Sequence, residues 1–226
     1  MFRAVIFDLD GTLHDRSATL AEYLPGHVER FDLPSGYAER FTELDDFGYC
    51  PKPEVFAALV AEYQLSHDPA ALLADFREHK PLAVKLMVGA HEVLAELRRR
   101  GLKIGVLTNG RTAMQHTVME RLGLLPLVDD LIISGAAGIA KPDPRIYELA
   151  LERLGVPAGK TLFVGDSPRN DIAGPQAAGM RAAYLPTSHP LPSGTVPDFV
   201  LRRLADVLAL IDPSIWKLKT AHLDLK

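Results

Sequence analysis

Apolar positions along this chain come in two spacings. One is short and continuous: Ala4-Val5-Ile6-Phe7, Ile104-Gly105-Val106-Leu107, Leu131-Ile132-Ile133, Leu162-Phe163-Val164 and Ala182-Ala183-Tyr184-Leu185, with Phe199-Val200-Leu201 as a sixth. Runs without polar alternation predict strands buried on both faces, as in a parallel sheet. The other spacing is helical. His91 to Arg100 puts Val93, Leu94 and Leu97 on one face; its arginines meet the negative helix end and Gly101 stops it. Asp143-Pro144 predicts a cap followed by proline in a first turn, with Ile146, Leu149, Ala150 and Leu154 as the stripe and Gly155 as the stop. Ile172 to Gly179 predicts a shorter helix of small residues. Strands alternating with helices imply an α/β fold with a doubly wound, parallel, Rossmann-like sheet.

One segment breaks this alternation. Between Leu13 and about Met87 no strand-like run occurs, and helices are predicted over 20–31, 54–63 and 69–79. The expected organisation is therefore an α/β core from residues 1–15 and 86–226, interrupted by a small, mainly α-helical domain over 16–85. Pro186 to Pro197 reads as a loop, and Ser214 to Lys226 as a polar-ended tail to which the pattern assigns no conformation.

Composition narrows the class. The chain has 226 residues, 47% of them apolar and 24% charged, which is enough for a packed core and a smaller second domain. Its net charge of −4 argues against a nucleic-acid polymer as partner. A single cysteine, Cys50, permits neither an internal disulfide nor a Cys/His metal framework, and is more simply a packing residue than a nucleophile. With no charged-then-apolar leader and no bilayer-length apolar stretch, the expectation is a cytoplasmic protein without membrane contact. No long apolar helix stripe is left unassigned, so a monomer is favoured over a homodimer.

The chemistry-bearing residues gather where predicted strands end, the place where open α/β sheets bind ligands. Asp8-Leu9-Asp10-Gly11-Thr12-Leu13 sets two carboxylates after a buried strand, a costly arrangement that a hard divalent cation with oxygen ligands would relieve. Thr108-Asn109-Gly110 offers a hydroxyl, an amide and backbone N–H groups suited to phosphate oxygens, although it is also a common turn sequence. Lys141-Pro142-Asp143 places a compact cation before a helix that Asp143 caps. Gly165-Asp166-Ser167-Pro168-Arg169-Asn170-Asp171 carries Asp166 at another strand end, and Asp171 where it could cap the helix starting near Ile172.

The order carboxylate pair, Thr/Asn, Lys, acidic loop resembles the haloacid dehalogenase superfamily in its phosphatase branch, from Phe2 to about Leu185, with the helical insert resembling the cap of one subclass. That resemblance implies a Mg2+-dependent phosphatase for a small phosphorylated metabolite: phosphoglycolate, a sugar phosphate or a nucleoside monophosphate. It implies Asp8 as the nucleophile that becomes an aspartyl phosphate, and Asp10 as general acid/base. The metal would be held by Asp8, the Asp10 carbonyl and Asp166; Thr108 and Asn109 would bind the phosphoryl group, and Lys141 would balance its charge. Asp171 would orient Lys141 or a metal-bound water. The cap implies a lid, with His14, Tyr49, Lys52, Arg77 and Arg111 as candidates for specificity, together with His79 and Lys80; a solvated or structurally paired side chain is the simpler account of each. A phosphomutase shares the covalent step. A dehalogenase of the superfamily typically lacks the second aspartate, which is present here. A phospho-Asp receiver carries its acceptor on a middle strand in a shorter chain.

Overall fold

The computed structural model describes residues 1–211; the tail from Ser214 onward lies outside the described residues. The chain divides into two compact units, Asp15–Lys85 on one side and Met1–His14 with Leu86–Lys226 on the other.

The inserted unit is helical. Helix α1 (Arg16–Arg30) starts at Asp15, whose carboxylate accepts the Ala18 N–H at 2.9 Å. It is followed by α2 (Tyr37–Asp45), α3 (Lys52–Glu62) and α4 (Pro69–His79), the last capped by Asp68. Helix α2 was not predicted: it is short, starts after a left-handed Gly36, and shows its stripe only through Tyr37 and Phe41. The unit's interior is aromatic, with Phe41, Phe56 and Phe76 in mutual ring contact. Buried among these helices, the Asp75 carboxylate accepts from Arg30, Tyr23 and His27 and also meets His79. Burial alone would raise Asp75; the Arg30, His27 and Tyr23 hydrogen bonds win and hold it well below the usual carboxylate range. Asp46, Phe47 and Gly48 all have positive φ (46°, 52° and 97°), a backbone that L-residues adopt at a cost, and Phe47 and Tyr49 stand exposed there. A cleft of about 300 Å³ opens between α1 and α2, lined by Leu20, Leu24, Ala38, Thr42 and Phe47. Where the unit begins and ends, the Asp15 N–H donates to the Lys85 carbonyl at 2.9 Å.

The other unit is a six-stranded parallel sheet: β1 (Ala4–Phe7), β2 (Lys103–Thr108), β3 (Asp130–Ile133), β4 (Thr161–Gly165), β5 (Arg181–Tyr184) and β6 (Phe199–Val200). All six predicted strands form, in the order β3-β2-β1-β4-β5-β6. Flanking helices are α5 (Ala90–Arg99), α6 (Thr112–Arg121), α7 (Ser134–Ala137), α8 (Pro144–Leu154), α9 (Gly174–Ala177) and α10 (Val207–Leu210). Helix α8 covers the face that carries Ala4, Ile6, Leu107 and Phe163, through Ile146, Tyr147, Ala150 and Leu154. Gly105 permits this approach, since a Cβ there would lie 3.0 Å from Leu154 Cδ1. As predicted, Asp143 caps α8, accepting the Arg145 N–H at 3.0 Å. The short helix expected over 172–179 is different: a widened helical turn of π type, Pro168–Ala173, runs into α9, and Ser167 rather than Asp171 caps it. No described helix is long and apolar enough to cross a membrane.

The strand order has one consequence for chemistry. The chain fills the sheet from β1 outward to β3, then crosses back to β4 on the other side of β1. Parallel register sets Phe7 level with Val106 and with Val164, so the residues that follow β1, β2 and β4 emerge side by side at this switch point.

Candidate active site

The first turn after β1 is tight. The Leu9 carbonyl accepts the N–H groups of Thr12, Leu13 and His14 at 3.2, 3.0 and 2.8 Å, and the Gly11 N–H returns to the His14 carbonyl. Gly11 has φ +81°, and a Cβ on it would collide with the Asp166 carboxylate. The turn is thereby pressed against the end of β4, and the Thr187 hydroxyl ties the Gly11 carbonyl to the loop after β5.

Three carboxylates gather here. One oxygen each of Asp8, Asp166 and Asp171 lies within 4.8 Å of the others, and all three residues are buried. Lys141 Nζ reaches between them, 2.7 Å from Asp8 Oδ1 and 2.7 Å from Asp171 Oδ1, and sits 5.4 Å from the Phe163 ring centroid. The other Asp171 oxygen accepts the Ser167 N–H at 2.9 Å. Asp171 is thus an anchor for Lys141 rather than a helix cap. Asn109 holds the lysine's backbone: its amide nitrogen donates to the Lys141 carbonyl and its oxygen accepts the Lys141 N–H, both at 2.9 Å. Thr108, next to it, is buried at the end of β2.

One ammonium does not balance three buried carboxylates. Burial drives the Asp8 carboxyl well above its ordinary value, against the pull of Lys141 and with the help of Asp171 and Asp166. Burial, then Asp171, raise Asp166 to about 7. Burial would lower Lys141; Asp171 and Asp8 more than offset this, so it stays charged. The unmet demand is for positive charge among hard oxygen donors, which is what a magnesium-like cation supplies. The residues present therefore fit such an ion.

Comparison with known proteins identifies the family. A family model of haloacid dehalogenase-like hydrolases matches residues 2–179. The chain belongs to that family. A glyceraldehyde 3-phosphate phosphatase of Pyrococcus abyssi is 30% identical to this hydrolase over 195 residues, 82% of each chain. A phosphoserine phosphatase of Thermus thermophilus is 37% identical over 136 residues, covering 59% of this chain and 54% of that one. Among solved structures, the magnesium-bound HAD hydrolase YfnB of Bacillus subtilis superposes with a TM-score of 0.81 at 26% identity, over 93% of this chain and 99% of that one.

Within the hydrolase, the residues singled out in the sequence separate into two groups. Asp8, Thr108, Asn109, Lys141, Asp166 and Asp171 come together at the ends of β1, β2 and β4 or in the segments just described. Asp10 is near them but its carboxylate is engaged elsewhere: Oδ1 lies 2.6 Å from His14 Nδ1 and Oδ2 accepts from Gln115 Nε2 at 2.8 Å. His14, a specificity candidate on sequence grounds, is fully buried and belongs to the α/β unit, because the turn after Leu9 folds it back onto Asp10. Lys52 is committed to the buried Asp45, at 2.6 Å, beside Arg16. Tyr49, Arg77 and Arg111 are exposed. His79 pairs with Asp75, and Lys80 is buried. Gln115 escaped the sequence reading. The signal was there, since Gln115, Val118 and Met119 share the buried stripe of α6, and an amide in such a stripe needs partners.

Proposed function

We propose that this phosphoric monoester hydrolase acts on a small phosphorylated metabolite through an aspartyl-phosphate intermediate on Asp8, with magnesium as its cofactor. The observation that carries the reading is the single ammonium of Lys141 shared at 2.7 Å between Asp8 and Asp171, with Asp166 in the same cluster. In this reading the Thr108 hydroxyl and neighbouring N–H groups, including that of Asn109, hold the phosphoryl oxygens. Asp8 attacks phosphorus in line, forming the acyl-phosphate bond as the bond to the leaving oxygen breaks. Asp10 gives its proton to that oxygen, then takes one from the water that cleaves the intermediate. Lys141 keeps Asp8 oriented and opposes charge build-up on the transferring group. Asp8, Asp166 and the Asp10 backbone carbonyl would hold magnesium, which when bound supplies the positive charge that lets an anionic nucleophile approach an anionic substrate.

The helical unit is read as the cap domain, with the exposed Tyr49 and Arg77 as candidates for substrate specificity. The names of the two relatives add small phosphorylated three-carbon compounds to phosphoglycolate, sugar phosphates and nucleoside monophosphates as substrates to assay. The chain is read as a cytoplasmic monomer. The test is Asp8→Asn. Magnesium-dependent phosphate release by wild type and none by the variant is expected; turnover by a variant shown by mass spectrometry not to have reverted to aspartate refutes the covalent route. Phosphate returned to a sugar rather than released would favour a mutase.

A further inference from the structure

Asp10 stands in the tight turn after β1, immediately before Gly11. A group that must first give and then take a proton works only from one rotamer, because an error of about 1 Å in such a group costs on the order of 100-fold in rate. Two buried side chains supply that rotamer. His14 Nδ1 lies 2.6 Å from Oδ1, within hydrogen-bond distance. Gln115 Nε2 donates to Oδ2 at 2.8 Å.

The two holders are themselves fixed. The His14 N–H donates to the Leu9 carbonyl and the His14 carbonyl accepts the Gly11 N–H. The ring is fully buried. Gln115 is 3% exposed, and its amide nitrogen also faces Thr108 Oγ1 at 2.8 Å and the Asn109 carbonyl at 3.1 Å. Glycine at 110 leaves it room, since a Cβ there would lie 2.9 Å from Gln115 Cγ. One amide thus spans the proposed acid/base and the proposed phosphoryl-binding hydroxyl.

We infer that Gln115 and His14 are positioning residues that hold the Asp10 carboxylate in its proton-transferring rotamer, with Gln115 setting its register against Thr108. The inference depends on Asp10 being the general acid/base of the reading above. Its signature is therefore selective. A phosphate ester with a good leaving group needs little help from an acid, whereas a poor leaving group needs the proton as its bond breaks.

The experiment measures kcat/KM with magnesium across aryl phosphates from 4-nitrophenyl phosphate to unsubstituted phenyl phosphate, for wild type, Gln115→Met, His14→Leu and His14→Asn. The ratio kcat/KM reports the step in which the leaving group departs. Gln115→Met should lose about 10- to 100-fold toward phenyl phosphate and markedly less toward 4-nitrophenyl phosphate, steepening the dependence on leaving-group basicity. His14→Leu should steepen it too. His14→Asn, whose amide can donate from near the Nδ1 position, should recover most of the wild-type slope, and it keeps the test usable if the leucine variant does not fold. Equal losses toward both esters, or unchanged slopes in folded variants, overturn the positioning role while leaving the covalent route standing. Absence of phosphate release by the wild type removes the underlying reading and this one with it.

Discussion

Asp166→Asn should make the metal-free protein more stable while destroying its use for a metal. The carboxyl of Asp166 is raised to about 7 by burial and by the neighbouring Asp171. In an unfolded chain it would titrate near 3.9, as about normal for aspartate. A group whose folded value is raised contributes stability that is fully present below about 3.9 and is lost as pH climbs through its folded value. The interval to about 7, at about 1.4 kcal/mol per pH unit, amounts to roughly 4 kcal/mol of stability missing by pH 8. Asparagine keeps the shape and cannot ionise. In EDTA at pH 8 the variant should therefore be the more stable by roughly that amount, with the difference closing toward pH 4. Urea unfolding followed by circular dichroism, across that pH range, reads it as a midpoint shift without a change in slope. Saturating magnesium should reverse the ranking, because only the wild type gains its binding energy. An asparagine variant no more stable than wild type at pH 8, or an offset independent of pH, would refute the reasoning.

Three other outcomes follow from the same contacts. Chelation with EDTA should abolish phosphate release and excess magnesium should restore it; full activity in thoroughly chelated protein would end the metal assignment. Lys141→Met leaves Asp8 and Asp171 without their shared cation, so metal-free stability at neutral pH should fall by about 3–5 kcal/mol, with the deficit shrinking on acidification as the carboxylates take up protons; urea titrations at two pH values check both parts. Asp75→Asn should cost about 1–3 kcal/mol, because the buried Tyr23 and His27 lose their charged acceptor while the half-exposed Arg30 turns to water. Because the folded value of Asp75 is depressed, its contribution is present above about 4 and vanishes as pH falls toward the folded value, so wild type and variant should converge in acid.

What the sequence disclosed divides along physical lines. Strands β1, β2, β4 and β5 were legible because nearly all their residues are buried, which leaves unbroken apolar runs; the edge strand β6 is half-buried to exposed and showed only as a short apolar run. Asp8 and Asp166 were legible because carboxylates at buried strand ends need partners, whereas Lys141 joined them only through the family resemblance. Helix α2 was not, since nine residues between left-handed ends give too little periodicity. The roles of His14 and Asn109 were also hidden. Both depend on which chain segments the fold brings together, His14 onto Asp10 by a tight turn and Asn109 onto the Lys141 backbone across 32 positions. Asp171 had a local explanation as a cap beside the role of orienting Lys141 that the family resemblance implied, and its carboxylate lies 2.7 Å from Lys141 Nζ.

The hydrogen bond between the Asp15 N–H and the Lys85 carbonyl has a corollary for the architecture of the gene as much as of the protein. The inserted segment leaves and re-enters at a single doorway, so the path from β1 to α5 could be closed by a tight turn. Because the entropy of closing a loop grows only slowly with its length, the same doorway tolerates modules of very different size. Exchange of everything between those two residues is thus a one-site graft, in which a foreign module can be carried without re-threading a single strand of the sheet.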